Sequence, residues 1–292
     1  MASIIDKVRR AFGNPQRPTT IWQEAFDHDR SHYKRLCNLA GKAPRGIDLV
    51  DYAGDINYQK NLQQDLFKFV FPVCLESWRQ YLVEDKSEYG AFAEHFELAL
   101  SRRSYCPKLL SETEHEAVID FFVDCILERM SRESSLSHRG MGVSPHKWVE
   151  ALDFFCRAFP ELKRVWAQWW TFKTSGLAIC GLQYLSCFMY EDDSNPVFEK
   201  WTPLEGGGPP LQWRCQFAIC EDWKDHNTRY LKDTLTEEYA RAKLRQALSV
   251  VGEDPVAMQM LREFEVRRDS FRSHLNVISK KLQIGPVSKK PD

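Results

Sequence analysis

The chain has 292 residues, 43% hydrophobic and 28% charged, a composition that suits a globular protein of one large domain or two smaller ones. Its 40 basic residues stand against 41 acidic ones, so the basic excess of a dedicated nucleic-acid binder is missing. The start, MASIIDKVRRAFG, carries charges inside its apolar stretch, and the longest apolar run, residues 176–190, is too short to span a bilayer. Neither nucleic acid nor membrane is therefore an expected partner, and a cytoplasmic placement is expected. In that compartment the nine cysteines should be free thiols that mostly fill the core.

Most of the first half has helical periodicity. Ser3 caps an opening helix whose apolar face is Ile4, Ile5, Val8 and Phe12, and Gly13-Asn14-Pro15 stops it. A second helix is expected over about 20–40, carrying Ile21, Trp22, Ala25, Phe26, Tyr33, Leu36 and Cys37, with Gly41 as its stop. Residues 48–58 read as a loop or a short helix. The run 62–82 is heavily apolar and should form a central core element, broken at Pro72, where a proline removes one donor and clashes with the preceding turn. A shorter amphipathic helix is expected over 89–100. Ser111 and Glu114 then form a capping box ahead of the apolar face Val118, Phe121, Phe122, Cys125, Ile126 and Met130.

The polar stretch SRESSLSHRGMGVS supplies a linker over 133–144 between a helical domain at 1–132 and a second at 145–284, with a disordered tail at 285–292. Seven of the nine tryptophans lie between Trp148 and Trp223. Ser144-Pro145 starts a helix, Pro160 interrupts it, and 161–172 restarts with Trp166, Trp169 and Trp170 on helical spacing. Residues 176–190 are long enough for a buried helix, although two glycines weaken that reading. Residues 211–219 alternate apolar and polar, the pattern of a half-buried strand, and 197–204 can pair with them across Gly206-Gly207-Gly208. Two further helices follow, over 234–251 and from Asp254-Pro255 onward. In the last, Leu261, Phe264, Phe271, Leu275 and Ile278 form a heptad-like seam interrupted by Arg268. The expected fold is mainly α, multi-helical, with one small β-hairpin near 197–219.

No phosphate loop, zincin helix, nucleophile elbow or zinc knuckle occurs, so no catalytic residue, metal or cofactor is expected. Cys215 and Cys220 fall on opposite phases of the expected strand, which argues against a shared metal. Trp166, Trp169 and Trp170 read first as core; the candidate binding residues are these three with Trp201 and Trp213, and the polar groups Asp192, Asp193, Asp222 and His226 beside them.

The combination IIDKVRRAFGNPQRP, DLFKFVFPVCLESW and LLSETEHEAVIDFFV resembles a bacterial family described only as a domain of unknown function. The resemblance covers about residues 4–130 and implies no catalytic residues. Small helical bacterial proteins of this kind suggest a toxin-neutralising immunity or accessory role. The leading expectation is a non-enzymatic protein-interaction protein. The alternatives are an enzyme or small-ligand binder with its site between the two halves, and a structural homodimer built on the C-terminal seam.

Overall fold

The computed structural model describes residues 4–102, 109–137, 139–141, 147–190, 194–197, 200–202 and 222–283. Helix dominates, as expected, and the chain packs as two compact units, Met1–Cys125 and Ile126–Asp292. Among the described residues no helix is long and apolar enough to cross a membrane.

The first unit is built on α1 (Ile4–Ala11), α2 (Ser31–Cys37), α3 (Gly46–Tyr58), α4 (Gln64–Glu84), α5 (Gly90–Arg102) and the first part of α6 (Glu112–Ser131). The break expected at Pro72 is absent, and α4 runs through it for 21 residues. An interior proline costs a helix about 3 kcal/mol. Here that cost is offset by burial of Leu66, Phe67, Val70, Phe71, Cys74, Leu75, Trp78 and Leu82 along one element. Phe71 stacks on Phe67 with ring centroids 4.7 Å apart and meets Phe96 of α5 at 5.6 Å. Trp78 meets Phe122 of α6 edge-on at 4.9 Å and donates its indole N–H to Glu97. The capping box forms as the sequence implied. Ser111 N–H donates to Glu114 Oε2 at 2.7 Å, and Glu114 N–H donates to Ser111 Oγ at 3.3 Å.

The helix expected over 20–40 is confined to α2. Residues 20–26 are irregular, with Gln23 and Ala25 buried and Trp22, Glu24 and Phe26 exposed. Side chains from elsewhere satisfy this backbone. Gln63 accepts from the N–H groups of Trp22 and Gln23 and donates to the Thr20 carbonyl. A helical pattern lost here because distant polar side chains offered the segment better partners than its own carbonyls.

The second unit contains the end of α6, then α7 (Lys147–Ala158), α8 (Leu162–Trp169), α9 (Ser175–Met189), α10 (Asp225–Thr234), α11 (Glu237–Val251), α12 (Pro255–Glu263) and α13 (Arg268–Gln283). Buried Asn227 holds the corner at Pro160. It donates to the carbonyls of Cys156 and Phe159 and accepts from Leu162 N–H, satisfying the end of α7 and the start of α8 together. Helix α9 is buried on all sides, and its two glycines are contact points. A Cβ on Gly176 would collide with the carbonyls of Met130 and Ser131, and one on Gly181 would lie 2.6 Å from the Phe172 ring.

The hairpin expected at 197–219 is not borne out. Residues 200–202 form a three-residue strand, β2 (Lys200–Thr202), that pairs in parallel with β1 (Arg139–Met141), and 203–221 lie outside the described residues. The long terminal helix is likewise divided, with α12 ending at Glu263 and α13 starting at Arg268. The division lets both Phe264 and Phe271 bury, the latter 6.0 Å from Phe188 of α9. Arg268, which interrupted the heptads, reaches Glu237 of α11 at 2.9 Å, where Arg272 joins it.

Candidate functional site

Of the tryptophans singled out by the sequence, the helical set is core. Trp166, Trp169 and Trp170 are 2%, 0% and 2% exposed. Trp169 lies 5.4 Å from Trp148, 5.5 Å from Trp166, 4.9 Å from Trp170 and 5.4 Å from Tyr184, and donates to the Leu177 carbonyl at 3.0 Å. Trp166 donates to Tyr239 Oη at 2.9 Å. Lys243 closes the edge of this cluster. It donates to the Trp170 carbonyl at 2.7 Å and lies 5.6 Å from the ring centroids of Phe172 and Tyr239. Partial burial pushes its ammonium below the usual lysine range.

Of the polar residues expected to join those rings, Asp222 and His226 are among the described residues. Asp222 and His226 are exposed and make no hydrogen bond or ion pair among the described residues. Asp192, Asp193 and Trp213 lie outside the described residues, and Trp201 is described only by its backbone in β2. In the terminal seam Phe264 and Phe271 are buried in their own unit, Leu261 and Leu275 are half-buried, and the Ile278 side chain lies outside the described set.

The large aromatic side chains left exposed among the described residues are in the first unit instead. Trp22 is 57% exposed, Phe26 62% and Tyr58 51%. Phe26 and Tyr58 stack with centroids 4.7 Å apart and planes at 30°. Beneath them lies a fully buried polar network centred on Asp55. Its Oδ1 accepts from Phe26 N–H at 2.6 Å. Its Oδ2 accepts from Tyr33 Oη at 2.5 Å and lies 2.9 Å from His32 Nε2. Gln23 Nε2 donates to Tyr33 Oη at 2.8 Å, and Gln23 Oε1 accepts from Gln63 N–H at 2.9 Å. Burial, then acceptance by Asp55, pushes the Tyr33 phenol far above its usual range, so it stays a donor. Asp55 thus positions Phe26 against Tyr58 one turn further along α3. Sequence reading missed these residues by assigning Trp22 and Phe26 to the apolar face of a helix. The available signal was confined to the turn formers Asp27 and Asp29 that follow, since Trp22, Ala25 and Phe26 keep helical spacing.

The same unit holds a basic cleft of about 320 Å³ lined by Lys34, Arg35, Asn38, Leu39, Lys42, Ala43, Arg45 and Asp48. Asp48 is 2% exposed and organises it. Its Oδ1 accepts from Arg35 Nε and from Arg45 Nη2, both at 2.7 Å, and its Oδ2 accepts from Arg45 Nε at 2.8 Å. Burial acts to raise the Asp48 carboxyl, but the hydrogen bonds from Arg45 and Arg35 outweigh it and hold the group below the usual carboxylate range. A folded-state pKa below the unfolded one gives stability that is complete above the ordinary carboxylate range and is lost as pH falls through the folded value. Asp48→Asn should therefore cost about 1–3 kcal/mol at pH 7. In urea titrations the gap between wild type and variant should close as pH falls below about 4. A gap that persists at pH 2 would remove the ionic account.

No protein-family model, curated protein or solved structure matches the chain.

Proposed function

We propose that this chain is a non-enzymatic protein-interaction protein whose contact surface is the Trp22–Phe26–Tyr58 face of the first unit. The carrying observation is the exposed Phe26–Tyr58 stack, fixed from below by Asp55 and flanked in sequence by Trp22. Interface energy concentrates in such anchors, because a large ring held in place loses little conformational freedom on binding. The exposed acids Glu24, Asp27 and Asp29 accompany the rings, with Arg30 as the adjacent cation. The partner that fits is a protein with an apolar recess rimmed by lysine or arginine. The buried thiols of Cys37, Cys74 and Cys180, outside any disulfide, support a reducing, cytoplasmic setting. A toxin as partner is the specific form of this function that the resemblance over residues 4–130 suggests.

The test is paired capture from the native host with wild type and the Trp22→Ala/Phe26→Ala variant. Because both rings are already exposed, the variant should keep its helical circular dichroism and its unfolding midpoint. It should bind the partner at least about 30-fold more weakly, as loss of about 2 kcal/mol of anchor energy implies. The binding should also weaken as salt rises. A stoichiometric partner held equally well by the folded variant would sink the assignment of this face.

A further inference from the structure

The basic cleft carries an inference independent of the aromatic face. Residues 30–45 contain Arg30, Lys34, Arg35, Lys42 and Arg45 and no acid at all, in a chain whose charges otherwise nearly cancel. A basic run of this kind is ordinarily a solvated surface. Three observations separate this one from that default.

The cations converge instead of spreading. Lys34 and Arg35 come from α2, Lys42 from the loop after it, and Arg45 from the start of α3, yet all four line one cleft. The loop turns back through left-handed backbone at Ala40 (φ 45°) and Gly41 (φ 81°), which brings Lys42 alongside α2. Secondly, the two guanidiniums are fixed by a buried carboxylate. Asp48 uses both oxygens on Arg35 and Arg45, and Arg35 Nη1 also donates to Ser31 Oγ at 2.6 Å. Arg35 Nη2 and Arg45 Nη1 are left without a partner among the described residues. Arg45, held through Nε and Nη2, presents Nη1 in a fixed direction, and Arg35, held through Nε and Nη1, presents Nη2, donors of the kind that suit oxyanions. Thirdly, the ammonium groups of Lys34 and Lys42 have no acceptor among the described residues. Asp48 is the one carboxylate lining the cleft against four cations, and with Asp51 acting on Arg45 and Asp29 on Arg35 from outside it, the cleft keeps a smaller surplus of positive charge.

We propose that this cleft binds the diphosphate group of a small phosphorylated molecule. Two held guanidinium donors, Arg35 Nη2 and Arg45 Nη1, and two exposed ammonium groups match a group with several anionic oxygens on two adjacent phosphorus atoms. Arg35 and Arg45 act as oriented donors, and Lys34 and Lys42 as adaptable point charges. Asp48 is a positioning residue that never touches the ligand.

The experiment is calorimetric titration of the full chain with inorganic pyrophosphate in dilute buffer, alongside Lys34→Gln/Lys42→Gln. Those lysines are exposed and outside the Asp48 clamp, so the variant keeps its fold, which a thermal melt verifies. Wild type should bind one pyrophosphate with a Kd below about 1 mM, and the variant at least tenfold more weakly, the loss expected from two charge-assisted contacts. Sodium acetate at matched ionic strength should give no saturable heat. ADP binding at least as tightly as pyrophosphate would assign the site to an organic diphosphate. ADP binding more weakly would assign it to the inorganic ion, and either result supports diphosphate recognition. No saturable binding of pyrophosphate by wild type overturns the proposal. Equal affinity in the folded double variant also overturns it, because the binding would then lie elsewhere.

Discussion

Trp169→Ala is expected to cost the second unit about 3–5 kcal/mol, as truncation of a fully buried tryptophan does. The side chain is 0% exposed and meets Trp148, Trp166, Trp170 and Tyr184 within 5.5 Å between centroids. Its loss would leave a cavity bounded by other aromatic rings and helices, which cannot collapse without disturbing their own contacts. It would also leave the Leu177 carbonyl without the indole donor, at the first turn of α9. Since domains are stable by only about 5–15 kcal/mol, a loss of that size should shift the urea midpoint by a large fraction of its value. Trp169→Phe should recover much of it by refilling volume while still lacking the N–H. Measured by near-ultraviolet circular dichroism, a Trp169→Ala protein with wild-type midpoint would show that the ring is not core.

Asp55→Ala is the second large effect, and it couples stability to the interaction face. Removing the carboxylate strips the acceptor from Phe26 N–H and the partner from buried His32, and leaves buried Tyr33 Oη only its longer bond to the Glu24 carbonyl. Deleting the central acceptor of a buried polar network costs about 1–3 kcal/mol or more, because His32 and the Phe26 amide lose their partner without regaining water. Asp55→Asn should cost less, since it keeps the shape and one acceptor oxygen. The two variants should rank the same way in partner binding, because release of Phe26 N–H frees the ring from its stack on Tyr58. Equal stability of Asp55→Ala and wild type in chemical denaturation would refute the network's role. Unchanged partner binding by a folded Asp55→Asn protein would separate the network from the surface above it.

How far the sequence foretold these sites depends on the range of the interactions that make them. The capping box at Ser111 and Glu114 spans four residues and formed as its spacing dictates. The Asp254-Pro255 start also formed, with Asp254 accepting from Val256 and Ala257 N–H. Residues 20–26 went the other way, because Gln63 and Asp55 come from far along the chain to satisfy their amides. Without those partners the aromatic pattern of Trp22 and Phe26 is indistinguishable from a helix's buried face. The Trp166–Trp170 set reads first as core and second as a contact face, and the structure buries it. Spacing put the rings on neighbouring positions of one helix, but only the approach of Tyr184 and Tyr239 from α9 and α11 covers them.

By itself, then, the sequence determined the helical class, most helix starts and stops, and the large apolar content of α4 and α9. Those follow from periodicity, caps and breakers, which act within a few residues. Tertiary structure alone decided which aromatic rings are buried, that Pro72 stays inside a helix, and that Asp48 gathers two arginines into one cleft. Each of those outcomes turns on a residue meeting a group from another element, and one chain's spacing carries no record of which elements will be neighbours.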